Sequence, residues 1–121
     1  MKPNLLDLSP YSLAEVLAEW GEPRYRAGQI LRALWKEGAV SFEEISTLSK
    51  DLRMRLAEAY EIRRPRAVRR TFAKDGTIKI LFEADGQGRF EAVVMPGRGK
   101  EDGATACLSS QAGCRFGCAY C

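Results

Sequence analysis

The residues best equipped for chemistry are the cysteines of CRFGCAYC at positions 114–121. Cys114, Cys118 and Cys121 have the spacing C-x3-C-x2-C. Thiolates are soft, strong ligands for iron and zinc. Short spacers containing a glycine, here Gly117, let one loop wrap a cluster and aim three sulfurs at three metals. Three ligands leave the fourth iron of a [4Fe-4S] cubane open, and an open coordination position is where a substrate or cofactor binds. Tyr120, directly before the last cysteine, is placed to pack against that ligand.

Other readings of the same residues stand beside this one. All four cysteines, Cys107 included, lie in the last fifteen positions. A structural zinc site would use four of them, but zinc ribbons favour two C-x2-C knuckles, and only Cys118 and Cys121 form one. A ferredoxin-like carrier uses C-x2-C-x2-C with a remote fourth cysteine, and the first spacer here is longer. A disulfide framework would spread its bridges through the fold of a secreted chain. Outside the cluster motif, Glu91 by itself reads as an exposed carboxylate on an edge strand. Cys107 by itself reads as a small buried residue in a strand.

The elements that must position these residues change character at Pro65. Before it the pattern is helical. Ser12 and Glu15 form a capping-box signature, followed by Leu13, Val16, Leu17 and Trp20 at helical spacing up to Gly21. Pro23 suits the first turn of a second helix, with Ile30, Leu31, Leu34 and Trp35 as its core stripe and Gly38 as its stop. Ser41 and Glu44 make another capping box ahead of a turn through Ile45, and Ser49 caps a helix carrying Leu52, Leu56 and Tyr60. After Pro65, AVRRTFA, TIKILFEA and RFEAVVMP read as three strands joined at Asp75-Gly76 and Asp85-Gly86. Thr77, Lys79, Leu81 and Glu83 alternate with Ile78, Ile80, Phe82 and Ala84, the period-two pattern of a half-buried antiparallel strand. GRGKEDGA is a polar, Gly-rich loop, and TACLSS is one more short strand leading into the cysteines.

Bulk properties narrow the setting. No apolar run approaches the roughly 20 residues needed to span a bilayer. The opening MKPNLLDLSP lacks a secretory signal, which predicts a cytoplasmic protein. The net charge of +3 is unevenly spread: residues 1–62 carry 8 Lys/Arg against 10 Asp/Glu, residues 63–121 carry 11 against 6. The basic excess centres on Arg63, Arg64, Arg66, Arg69 and Arg70, candidates for bidentate phosphate contacts in an RNA partner, although such runs are also common as solvated, salt-bridged faces. A metal ligand at the last position, Cys121, predicts an N-terminal fragment of a longer protein.

Joined together, these motifs carry a resemblance. C-x3-C-x2-C with an aromatic before the last cysteine resembles the signature of the radical S-adenosylmethionine superfamily. FEAVVMP, TACLSSQAGCRFGCAYC and the LRALWKEG helix together resemble the RNA methyltransferases that methylate C2 of adenine in 23S ribosomal RNA and transfer RNA. The resemblance covers essentially the whole chain.

It implies an α+β chain in three parts. Residues 1–62 would be a helical accessory domain that binds RNA. Residues 63–106 would be a β connector holding a short antiparallel meander and the basic segment. Residues 107–121 would open a radical (β/α) barrel that this chain does not complete. The resemblance further implies that Cys114, Cys118 and Cys121 ligate a [4Fe-4S] cluster whose open iron binds S-adenosylmethionine, with an electron donor as a further partner. On the same basis Glu91 would be the general base and Cys107 one of two redox-active cysteines that form a transient disulfide. Those roles make chemical sense, because resolving a covalent protein–RNA adduct at C2 needs a base for the C2 proton and a second thiol. The family's methylated cysteine and most of its barrel lie outside this sequence, so the 121 residues alone are expected to be inactive. Two other readings remain: a stand-alone RNA-binding module, and the related branch that methylates C8 of adenine.

Overall fold

The structure, a computed structural model, describes residues 1–86, 88–99, 101–109 and 116–117. It divides into two compact units, Met1–Arg64 and Pro65–Cys121. The first is helical. The second holds a four-stranded antiparallel sheet.

In the helical unit, α1 spans Pro10–Glu19, α2 spans Tyr25–Leu31 and α3 spans Lys50–Ala59. The cap of α1 is Ser9, not Ser12: the Ser9 Oγ accepts from the Ser12 N–H at 3.1 Å. Pro10, at the first helical position, starts the helix before the expected capping box because its fixed φ needs no donor there. Ser49 caps α3 as expected, accepting from the Leu52 N–H at 3.2 Å. In the Phe42–Glu44 turn the expected box is altered. Ser41 makes no side-chain cap, and Glu44 accepts from the Val40 N–H at 2.9 Å.

These helices close over a core of Leu5, Leu13, Leu17, Ala27, Ile30, Ala33, Leu34, Ala39, Ile45, Leu48, Leu52 and Leu56. Trp35 departs from its expected place in that core and is 63% exposed. The cause is local. After Leu31 the α-helix widens into a π turn over Arg32–Lys36, with the Glu37 N–H donating to the Arg32 carbonyl at 3.1 Å. A wider turn rotates less per residue, so position 35 leaves the stripe that Ile30 and Leu34 still occupy. Gly38, at φ +72°, then ends the element.

The start of the chain is zipped to the end of this unit. Asn4 Nδ2 donates to the Arg63 carbonyl at 2.9 Å, and the Arg63 N–H donates back to Asn4 Oδ1 at 3.0 Å. Beside them the Leu5 N–H donates to the Glu61 carbonyl at 2.8 Å and the Glu61 N–H to the Pro3 carbonyl at 3.0 Å.

The sheet runs in the order β1–β2–β3–β4, with β1 Arg66–Phe72, β2 Ile78–Ala84, β3 Gly88–Met95 and β4 Thr105–Leu108. Its first hairpin turns at Asp75 and Gly76. The Asp75 carboxylate accepts from the Thr77 N–H at 2.9 Å, and Gly76 takes φ +90°. One register shift interrupts the β1–β2 ladder between Ala67 and Arg69. Each sheet face then collects one set of alternating side chains. Phe72, Ile78, Ile80, Phe82, Phe90, Ala92, Val94 and Leu108 fall on one face, where the Phe82 and Phe90 rings stack at 5.3 Å. The polar set falls on the other. Of the residues expected to open a barrel, 107–109 and 116–117 are described, with Cys107 and Leu108 completing β4.

Candidate functional site

The polar face of the sheet gathers several of the residues that the sequence singles out. Leu81 of β2 lies opposite Glu91 of β3, while Lys79 lies opposite Val93, and Val93 opposite Cys107 of β4. Residues directly opposite in an antiparallel ladder project from the same side, and so do residues two apart along a strand. Lys79, Glu91, Val93 and Cys107 therefore share one face. Glu91 and Cys107 are diagonal neighbours, a relationship that sets Cα atoms roughly 7–8 Å apart.

β3 is an interior strand, because β4 pairs along it; the edge-strand reading of Glu91 is corrected by that pairing. The carboxylate is half in solvent and ion-pairs with Lys79, Nζ to Oε2 at 3.0 Å. Its backbone carbonyl accepts from the Ser109 N–H at 3.1 Å, which ties the end of β4 to Glu91 at the point where the chain enters the cysteine segment. Cys107 is an exposed free thiol, not a buried one.

A second ion pair system lies one row further along the same face. Arg66 and Arg89 both reach Glu83, at 2.7 and 3.3 Å. The Arg66 guanidinium, and then that of Arg89, hold the Glu83 carboxyl below the usual carboxylate range. Lys79 was not among the residues the sequence singled out. Its place in the alternation marks the polar face, but only the β2–β3 register reveals that it meets Glu91.

The five arginines are dispersed by the fold. Arg63 pairs with Glu61 at 2.7 Å and donates to Met1 Sδ at 3.1 Å. Arg64 donates to the carbonyls of Leu34 and Ala39, two buried residues of the helical core. Arg66 belongs to the Glu83 pair. Arg69 and Arg70 are exposed and have no ion-pair partner among the described residues. Arg69 faces the side of Glu91; Arg70 faces the apolar side.

Cys114, Cys118, Tyr120 and Cys121 lie outside the described residues. Within their segment Gly117 is described and adopts φ +58°, a left-handed turn between the first and second cysteines of the motif. By sequence the motif supplies three thiolates, a donor type suited to an iron–sulfur cluster.

Residues 3–62 match the family described as Ribosomal RNA large subunit methyltransferase N-terminal domain. The chain is 40% identical to the dual-specificity RNA methyltransferase RlmN of Solidesulfovibrio magneticus, covering 98% of this chain and 33% of that protein. It is likewise 40% identical to the RlmN protein of Marinomonas sp., covering 99% and 32%. The crystal structure of a radical SAM methyltransferase from Sphaerobacter thermophilus superposes with a TM-score of 0.77 at 40% identity, over 98% of this chain and 34% of that one. The chain thus spans about a third of the length of the relatives it matches. None of its described helices is long and apolar enough to cross a membrane.

Proposed function

From a chain homologous over nearly its whole length to about a third of the radical SAM RNA methyltransferases, we infer that it is the opening part of such an enzyme, one that methylates C2 of adenine in ribosomal and transfer RNA. The observation that supports this most directly is the shared sheet face of Glu91 and Cys107, with β4 leading into the cysteine motif. In this reading residues 1–62 are the RNA-binding accessory domain, 63–106 the connector, and 107–121 the start of the catalytic core of a cytoplasmic protein.

Cys114, Cys118 and Cys121 would hold a [4Fe-4S] cluster, with Tyr120 against the last ligand. When bound, that group together with S-adenosylmethionine supplies one-electron chemistry able to activate a C–H bond. The protein's own residues do the rest. The Glu91 carboxylate is half in solvent on the sheet face, where it can take a proton from an adenine brought against that face. Lys79 fixes its orientation without removing its second oxygen from use. The Cys107 thiol, exposed on the same face, is available to attack the sulfur of a covalent protein–RNA adduct, the S–S bond forming as the S–C bond breaks and its electron pair passes to the RNA carbon. The two act on one substrate atom and its adduct, so their diagonal spacing is the property the sheet supplies.

Anaerobic iron–sulfide reconstitution of the full-length enzyme, followed by electron paramagnetic resonance, tests the proposal. A reduced-cluster signal that shifts with S-adenosylmethionine and is lost in Cys118→Ala is expected. Stoichiometric zinc without iron would instead favour a zinc-stabilised RNA-binding protein.

A further inference from the structure

Trp35 lies outside the buried core of the helical unit. Tryptophan carries the largest apolar surface of any side chain, and leaving it 63% exposed forgoes the hydrophobic gain of burial. The other tryptophan, Trp20, is half-buried against the core and covered by the Arg55 guanidinium at 4.5 Å from its ring centre. Trp35 is held out by the π turn over Arg32–Lys36, a widening that occurs mostly as single turns and often at functional sites.

The ring lies in an open groove of about 700 Å³, with Leu8, Pro10 and Leu31 as its apolar walls and Arg32 and Lys36 as its polar ones. Among the described residues no carboxylate lines it. Lys36 has no ion-pair partner among the described residues. Arg32 pairs only with Glu37 at 3.2 Å, both side chains well exposed, and such a pair exchanges readily for another anion. The groove at Val40 and Met54 differs, since Glu43 and Glu61 line it beside Lys2 and Arg53.

We propose that the Trp35 groove is a stacking platform for one unpaired RNA base, with Lys36 and Arg32 holding the adjoining phosphates. An aromatic face with cations on its rim matches a nucleotide, apolar in its base and anionic in its backbone. A second copy of the chain fits less well, because a two-fold contact through this groove sets the same two cations against their own copies. The proposal rests on the RNA methyltransferase reading and adds to it a contact on the helical unit, remote in sequence from Glu91, Cys107 and the arginine segment.

The test uses the 121-residue chain, a short oligouridine as the RNA probe and inorganic polyphosphate as an anion without bases. Oligouridine is expected to quench the tryptophan emission of the unaltered chain and to leave that of Trp35→Phe, which reports Trp20 alone, nearly unchanged. Trp35→Ala should weaken oligouridine binding on the order of tenfold and leave polyphosphate binding unaltered. Lys36→Ala should weaken both and lower the slope of log affinity against log salt by about 0.7. Circular dichroism of each variant checks folding, and Trp35→Phe keeps a ring in place if Trp35→Ala unfolds. The platform is overturned by quenching that persists in Trp35→Phe, by equal losses for the two probes, or by emission changes that follow protein concentration without RNA, which would indicate a second copy. RNA binding that depends on Arg69 and Arg70 but is indifferent to Trp35 rejects the platform and leaves the enzyme reading intact. Absence of RNA binding also rejects the platform, while cluster reconstitution decides the enzyme reading separately.

Discussion

Lys79 and Glu91 meet diagonally across β2 and β3, with Nζ 3.0 Å from Oε2. Both side chains are about half exposed, at 56% and 49%, so the pair adds little to stability. Its value lies in orientation. Lys79→Met is expected to change folding free energy by less than about 1 kcal/mol, yet to lower methyl transfer by the full-length enzyme with the cluster signal unchanged. Lys79→Arg should restore most of the rate. A rate unaffected by Lys79→Met would mean that Glu91 is held by something else, or is not the base.

Arg64 is predicted to be structural. Its guanidinium serves the carbonyls of Leu34 and Ala39, where the helix ends without enough backbone donors. Arg64→Ala should cost about 1–2 kcal/mol in denaturant unfolding, whereas Arg69→Ala, at a position without an ion pair, should fall within about 0.5 kcal/mol of the parent. Comparable losses for both would show that the Arg64 contacts contribute nothing.

Acid should loosen the sheet before the helical unit. Hydrogen bonds from Arg66 and Arg89 lower the folded pKa of Glu83, and the Thr77 N–H does the same for Asp75. A depressed folded pKa stabilises fully above the unfolded value, and that contribution is lost as pH falls through the folded one. The loss should therefore begin near pH 4–4.5, by the usual carboxylate values of about 3.9 and 4.3, and continue below it. Glu83→Gln should flatten the acid limb when sheet amides are followed by nuclear magnetic resonance. An unchanged acid limb would assign the sensitivity to other carboxylates.

Gly97 should resist any side chain. A Cβ built there would come 2.1 Å from the Asp102 carbonyl oxygen, and that atom is backbone with nowhere to go. Gly97→Ala is expected to force open the connection between β3 and β4, at a cost of about 1–3 kcal/mol. Amide exchange at Ala106 and Leu108 should accelerate before that of β2. If exchange in β4 is unaltered, the loop does not set the register that carries Cys107.

Much of the sheet was readable because its signals are local. The alternation from Ile78 to Ala84 fixes which side chains share a face, and Asp75-Gly76 fixes where the first hairpin turns. What escaped depends on partners distant in sequence or on a change in helical pitch. β3 is interior only through its pairing with β4, which Glu91 taken by itself does not reveal. Trp35 kept perfect helical spacing on paper, but the π turn rotated it out. The five arginines looked like one patch, whereas three of them are committed to Glu61, to carbonyls and to Glu83. The cysteine motif is the reverse case: it is the plainest signal in the sequence, and its three cysteines lie outside the described residues.

The handshake between Asn4 and Arg63 makes the two ends of the helical unit neighbours. A unit closed in this way can be treated as a loop of protein with no fixed beginning. Its original ends can be joined by a short Gly/Ser linker and new ends opened at the turn between Trp20 and Arg24, where Gly21 already takes φ +79°. Such a circular permutant would keep every buried leucine in place while moving the attachment point of whatever follows. The order of the helices along the chain is then a matter of where the ring was cut, and the ring itself is what the core requires.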